Sequence, residues 1–215
     1  MSEPSDDLHN AKALLFDLDG TLLDSFPVHF AAYQATFARF GVHLTEEHFL
    51  ATYSPNWLQT YETLGLPRQL WEQADEYWLE TARLLQPAPF PGVVEALGRL
   101  WEAFPLGIVT SGSKERVLRD LEGSAIGEFF QALVTGDDVG QPKPSPEGMH
   151  LALAALGARP DEAVYIGDTL LDLETAQAAG VRFLGIPSRF ASLKPDTPCM
   201  QVGAFTDLPR AFGLG

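Results

Sequence analysis

Basic residues are scarce in this chain: 14 lysines and arginines stand against 29 acidic residues, for a formal charge of -15. That imbalance argues against nucleic acid or an anionic membrane surface as the main partner. It leaves an anionic substrate open, because a bound cation and one well-placed lysine reverse the sign of a small site. Cysteine is almost absent. The single Cys199 excludes an internal disulfide and fits a reducing compartment. It lies between Pro198 and Met200 with no histidine nearby, so a structural role is expected for it rather than a catalytic one. No run of about 18 apolar residues is present to span a membrane. Met1 to Asn10 is polar and acidic, without the basic and apolar regions of a signal peptide, and a cytoplasmic location is the expectation.

What the chain does have is concentrated in Leu14-Leu15-Phe16-Asp17-Leu18-Asp19-Gly20-Thr21-Leu22-Leu23-Asp24-Ser25. Ala11 to Phe16 is nearly continuously apolar, as a strand buried on both sheet faces is. It runs into two carboxylates one residue apart. In an extended segment, residues i and i+2 project to the same side, which lets Asp17 and Asp19 face one small volume before Gly20 turns the backbone. The arrangement suits a divalent cation with hard oxygen ligands, a carboxylate nucleophile, and a second carboxyl acting as acid and base. For the bare pair, a solvated acidic turn after a buried strand is an equal alternative.

Downstream the period becomes helical, with Phe26, Phe30, Tyr33, Phe37 and Phe40 on one face and Gly41 at the end. Thr45 and Ser54-Pro55 read as helix starts. Trp57, Leu58, Tyr61 and Leu64, then Leu70, Ala74, Trp78, Ala82 and Leu85, give two further apolar faces. Their aromatics, at helical spacing, are expected in the core. Pro87 to Gly92 reads as a linker. Beyond it, helices near Val93–Phe104, Lys114–Leu121, Ser145–Gly157 and up to Gly180 alternate with apolar runs at Leu106–Val109, Ala132–Val134, Ala163–Ile166 and Val181–Leu184. Such alternation predicts an α/β fold with a mostly parallel, Rossmann-like sheet. The core comprises residues 1–24 and 90–215, and residues 25–89 form an inserted α-helical domain.

In open α/β sheets, ligands bind beyond the carboxyl ends of the strands. The residues found there are Asp17 and Asp19 after the first run, Thr110-Ser111-Gly112-Ser113 after the second, Lys143 in the loop after the third, and Asp168 with Asp172 after the fourth. Taken singly, Thr110 to Ser113 is a turn and N-cap, Lys143 a surface charge, Asp168 an N-cap and Asp172 a solvated helix residue. Their joint order and spacing argue otherwise.

That order, together with Asp-x-Asp-Gly-Thr, two aliphatics and Asp24-Ser25, resembles the motifs of the haloacid dehalogenase superfamily from Leu14 to about Leu184. The resemblance implies that Asp17 attacks phosphorus while Asp19 protonates the leaving group and then activates water. It also implies that Thr110 and the Ser111 backbone hold the phosphoryl group and that Lys143 neutralises charge. Mg²⁺ would be held by Asp17, the Asp19 carbonyl and Asp168, with Asp172 in support. The helical insertion matches a cap domain, and His29 stands where some members carry a histidine linking cap to acid/base residue. The cap carries no lysine, and its only permanent cations are Arg39, Arg68 and Arg83, so no strong clamp for a second phosphate is evident.

A Mg²⁺-dependent phosphatase for a small phosphorylated metabolite is therefore expected. A sugar-phosphate mutase would use the same site, but the basic, serine-rich cap associated with such mutases is absent. A dehalogenase fits less well because that branch lacks the second aspartate, and a noncatalytic module has no need of all these groups. Sugar phosphates, phosphoglycolate and nucleoside monophosphates all remain open as substrates, and nothing in the sequence sets the oligomeric state.

Overall fold

The structure is a computed structural model that describes residues 8, 10–53, 57–188 and 193–214. Strand β1 (Ala13–Phe16) is wholly buried, and its alternate residues enter two cores. Leu14 and Phe16 join one cluster, while Ala13 and Leu15 join the other. This is what a continuously apolar strand between two helical layers must do. Gly20, at φ 82°, turns the chain after β1. The chain then enters β2 (Leu23–Asp24).

Helices α1 (Phe26–Arg39), α2 (Glu46–Thr52), α3 (Trp57–Thr63) and α4 (Trp71–Ala82) follow. They make up one compact unit, Ser25–Pro87, while Met1–Asp24 and Ala88–Gly215 make up the other. Gly41, at φ 73°, lies just past α1. The Thr45 hydroxyl caps α2 by accepting from the His48 amide at 3.2 Å. Ser54-Pro55 and the Trp57 side chain lie outside the described residues. The helical unit is cored by aromatics, with the buried Tyr33 ring 5.3 Å from Phe49, 5.9 Å from Tyr61 and 5.8 Å from Trp78. Leu58, expected on an apolar face, is exposed instead. On a helix as short as α3, Thr60 and Tyr61 are the fully buried ones among its described residues.

The segment read as a linker holds a short strand, β3 (Ala88–Pro89), which pairs antiparallel with β2. The core continues with α5 (Val93–Trp101), β4 (Leu106–Val109), α6 (Lys114–Ser124), β5 (Ala132–Val134), α7 (Glu147–Leu156), β6 (Ala163–Gly167), α8 (Leu170–Ala179), β7 (Arg182–Gly185), β8 (Met200–Gln201) and α9 (Leu208–Ala211). The six-stranded sheet has the order β5-β4-β1-β6-β7-β8, and every pairing in it is parallel. This is a Rossmann-like arrangement. From β1 the chain runs outward through β4 to β5, then returns to the other side of β1 for β6. The reversal places the switch point at the carboxyl end of β1, where such sheets open a crevice.

Candidate active site

Asp17 leaves β1 still tied to the sheet, its amide donating to the Ile166 carbonyl at 2.9 Å. Its carboxylate is buried and accepts from Lys143 Nζ at 2.7 Å. The same ammonium donates to Asp172 Oδ1 at 2.8 Å and to the Tyr165 hydroxyl at 2.5 Å, so all three of its hydrogens are used. The loop after β5 thus delivers a lysine to the end of β1, as the strand-end argument required.

Asp172 is not on a solvated face. It is buried, and its two oxygens do different work. Oδ2 closes a capping box at the start of α8, accepting from the Thr169 hydroxyl at 2.5 Å and the Thr169 amide at 3.1 Å. Oδ1 faces Lys143 and lies 3.0 Å from the Tyr165 hydroxyl. Thr169 is therefore the N-cap, which frees Asp168 to point elsewhere. The two Asp168 oxygens accept from Thr21 Oγ1 at 2.9 Å and Ser188 Oγ at 2.5 Å.

One carboxylate oxygen from each of Asp17, Asp168 and Asp172 lies within 4.8 Å of the others, a grouping that can hold a metal ion. Three buried carboxylates against one ammonium leave negative charge unbalanced. Burial, and then the Asp172 charge, push the Asp168 carboxyl up to about 7. Asp17 is raised well above the usual range by burial, against the opposing pull of Lys143. Burial acts on Asp172 too, but the Lys143 charge and the hydrogen bonds from Lys143, Thr169 and Tyr165 outweigh it and hold that carboxyl low. Burial likewise works against Lys143, and the two aspartates overcome it and raise its pKa. An oxygen-rich, under-neutralised pocket of this kind is the donor set a hard divalent cation takes.

The raised Asp168 has a measurable consequence in metal-free protein. An unfolded aspartate titrates near 3.9, so between roughly pH 4 and 7 the folded state keeps a proton that the unfolded chain has released. The Asp168 contribution to stability is then fullest below about pH 4 and is lost as pH rises through about 7. In chelator, the urea midpoint is expected to fall between pH 5 and pH 7, and Asp168→Asn should flatten that decline. An unchanged slope in Asp168→Asn would assign it to general repulsion among the excess acids.

Asp19 differs from the expectation of two carboxylates facing one volume. Its side chain is not part of the acidic trio. It is held by Arg116 of α6, with Nη2 donating to Oδ2 at 2.5 Å and Nη1 to Oδ1 at 3.0 Å. The turn at Gly20 makes this possible, because Asp19 has already left the extended strand. Thr110 is buried at the end of β4, where its Oγ1 accepts from the Gly112 amide at 3.2 Å. Ser111 is more exposed, and the adjoining Gly112 carbonyl accepts from Gly136 N at 2.9 Å, which braces this loop. His29 is buried in the helical unit, with Nδ1 3.1 Å from the Tyr53 hydroxyl and its ring against Trp78.

Asp17, Lys143, Asp168 and Asp172 thus converge in space. Arg116, Tyr165, Thr21, Thr169 and Ser188 were not anticipated as partners. Thr21 belongs to the Asp-x-Asp-Gly-Thr string and was the one open to prediction from local sequence.

The pyrophosphatase PpaX of Listeria monocytogenes is 32% identical over 195 residues, covering 85% of this chain and 89% of that one. The phosphoglycolate phosphatase of Pectobacterium atrosepticum is 31% identical over 217 residues, covering 94% and 92%. Among solved structures, CbbY from Rhodobacter sphaeroides in complex with phosphate superposes with a TM-score of 0.77 at 25% identity, covering 95% of this chain and all of that one. The family model described as haloacid dehalogenase-like hydrolase matches residues 14–186, from the middle of β1 past the end of β7. All the core residues gathered at the strand ends except Ser188 fall inside that match, and the chain is a member of the haloacid dehalogenase-like hydrolases.

Proposed function

We propose that this enzyme is a Mg²⁺-dependent phosphatase that hydrolyses a small phosphorylated metabolite through a phosphoaspartate at Asp17. The observation that carries the reading is the buried Asp17 carboxylate at the end of β1, bonded to Lys143 inside an acidic trio. Asp17, Asp168 and the Asp19 carbonyl would hold the cation, with Asp172 orienting Lys143. When bound, the cation would supply positive charge against the phosphoryl oxygens.

An Asp17 oxygen forms the bond to phosphorus while the bond to the leaving oxygen breaks and Asp19 gives that oxygen its proton. Water then forms the next bond to phosphorus, the Asp17 ester bond breaks, and the water proton goes to Asp19. Thr110 and the Ser111 amide bind the phosphoryl oxygens, and Lys143 holds the charge of Asp17 in place for the attack. The names of the relatives put pyrophosphate and phosphoglycolate first among the substrates to test. The single cysteine, Cys199, supports a cytoplasmic setting for the reaction.

Phosphate release from these compounds and from 4-nitrophenyl phosphate is expected with Mg²⁺ and should vanish in excess chelator. Asp168→Ala should raise the Mg²⁺ concentration needed for half-maximal rate. Full activity in chelator would remove the cation from the proposal. Conversion of a sugar phosphate to its isomer without phosphate release would instead favour a mutase.

A further inference from the structure

Asp19 is the proposed acid and base, yet both of its oxygens are engaged by one guanidinium, that of Arg116 on α6. Arg116 is almost entirely buried, with 9% of its side chain exposed against 17% for Asp19 and 2% for Asp120. Its Nη1 also donates to Asp120 Oδ2 at 3.0 Å, and Arg119 donates to the other Asp120 oxygen at 3.0 Å. Asp120 sits one turn along α6 and therefore on the same face. The result is an ordered chain, Arg119 to Asp120 to Arg116 to Asp19, anchored on a rigid helix. A guanidinium whose Nη1 is also held by a buried carboxylate presents its Nη1 and Nη2 as a two-point fork to Asp19.

The loop after β4 is shaped to admit it. A Cβ at Gly112 would collide with the Arg116 guanidinium and come within 2.9 Å of Val117 Cγ2, so glycine there leaves the room through which Arg116 reaches Asp19. Stability alone is a poor reason for such a group, since the desolvation of a buried ion pair largely offsets its attraction. Two-point fixation does, however, define where a carboxylate lies, and a proton-transfer residue is useful only from a defined position.

We propose that Arg116 is the positioning residue for Asp19, holding its carboxylate where it can deliver and accept the proton, with Asp120 fixing the guanidinium in turn. This rests on the phosphatase reading for the role of Asp19. Positioning of an acid differs from binding of the phosphoryl group in its dependence on the leaving group. A poor leaving group needs the proton from Asp19, and an acidic phenol does not.

The test is kcat/KM across aryl phosphates with Mg²⁺, from 2,4-dinitrophenyl phosphate to phenyl phosphate, whose phenol titrates near 10 like tyrosine. For Arg116→Ala, the value for phenyl phosphate is expected to fall roughly tenfold or more and that for the dinitrophenyl ester less than about threefold. Added to Asp19→Asn, Arg116→Ala should cost little more, because the two act as one unit. A uniform loss across the series, no loss, or full multiplicative loss in the double variant would each overturn the assignment.

Should Arg116→Ala fail to fold, Arg116→Lys carries the comparison. It keeps the charge but offers one contact point, so an intermediate leaving-group dependence is expected and wild-type dependence would overturn the claim. If the wild-type enzyme cleaves neither these esters nor pyrophosphate or phosphoglycolate, the phosphatase reading falls. A crystal structure of the variant then decides the positioning claim, since an unmoved Asp19 carboxylate overturns it and a displaced one supports it.

Discussion

Asp17→Asn should lose turnover by a factor on the order of a millionfold, the scale seen when a covalent nucleophile is removed. An amide has no anionic oxygen to offer phosphorus, and the replacement is otherwise nearly isosteric, so an unchanged fold is the control and Mg²⁺ is kept saturating. The rival chemistry is a bound hydroxide attacking directly, with Asp17 serving only as a ligand. Solvent oxygen enters the released phosphate by either route, so labelling of product does not separate them. Trapping does. After a single turnover quenched in acid, phosphorus label sensitive to hydroxylamine is expected on the Asp17 peptide. It should be most abundant in Asp19→Ala with a leaving group that needs no proton, because dephosphorylation has then lost its base. Asp17→Asn should show no label. Leaving-group release by Asp19→Ala with no covalent label in repeated trials would defeat the nucleophile assignment.

Lys143→Ala is expected to lower kcat by roughly a hundredfold or more, as loss of a preorganised electrostatic contact does, and to weaken the fold as well. Its ammonium is the partner of both Asp17 and Asp172, and its side chain is only 7% exposed. Removing one member of such a buried set leaves uncompensated charge and costs about 3–5 kcal/mol. The pH dependence separates this from a simple cavity. In the native protein Asp172 is held low, so its contribution is present above about pH 4 and is lost as pH falls through its folded value. Without Lys143 both carboxyls rise, and each then favours the folded state at acid pH and loses that contribution as pH climbs. The deficit of Lys143→Ala relative to wild type should therefore be larger at pH 7 than at pH 5 in chelator. Lys143→Met, which refills the volume, should show the same trend. A deficit independent of pH in both variants would assign the loss to packing.

The parts of this protein that were legible in the sequence are those whose cause is local. Ala13–Phe16, Leu106–Val109 and Ala163–Gly167 are short buried strands, and unbroken apolar runs say so. The aspartates and the lysine could be placed at one sheet edge because parallel connectivity brings every carboxyl end there. What escaped notice depends on pairing across distance. Arg116 meets Asp19 across 97 positions, and along α6 it reads only as another charge. Tyr165 looked like one more apolar strand residue, although its hydroxyl receives Lys143. Strands β3 and β8 span two residues each, too few for any period to show, and exist because a neighbour supplies the ladder. Asp172 was placed near the site by its position after β6, but its partners there, Thr169, Tyr165 and Lys143, come from three different segments.

Leu23 lies opposite Pro89 and Asp24 opposite Ala88 in the small antiparallel ribbon. The excursion from residue 25 to residue 87 thus departs and returns at neighbouring points, as the arms of a hairpin do. Ends held about 5 Å apart ask nothing of the intervening chain except that its own termini meet. The core strands keep their register whatever the excursion contains, so lengthening, shortening or exchanging it is a local event for the sheet. The helical segment can therefore be replaced wholesale between fixed posts, while the aspartates and lysine at the strand ends stay where they are.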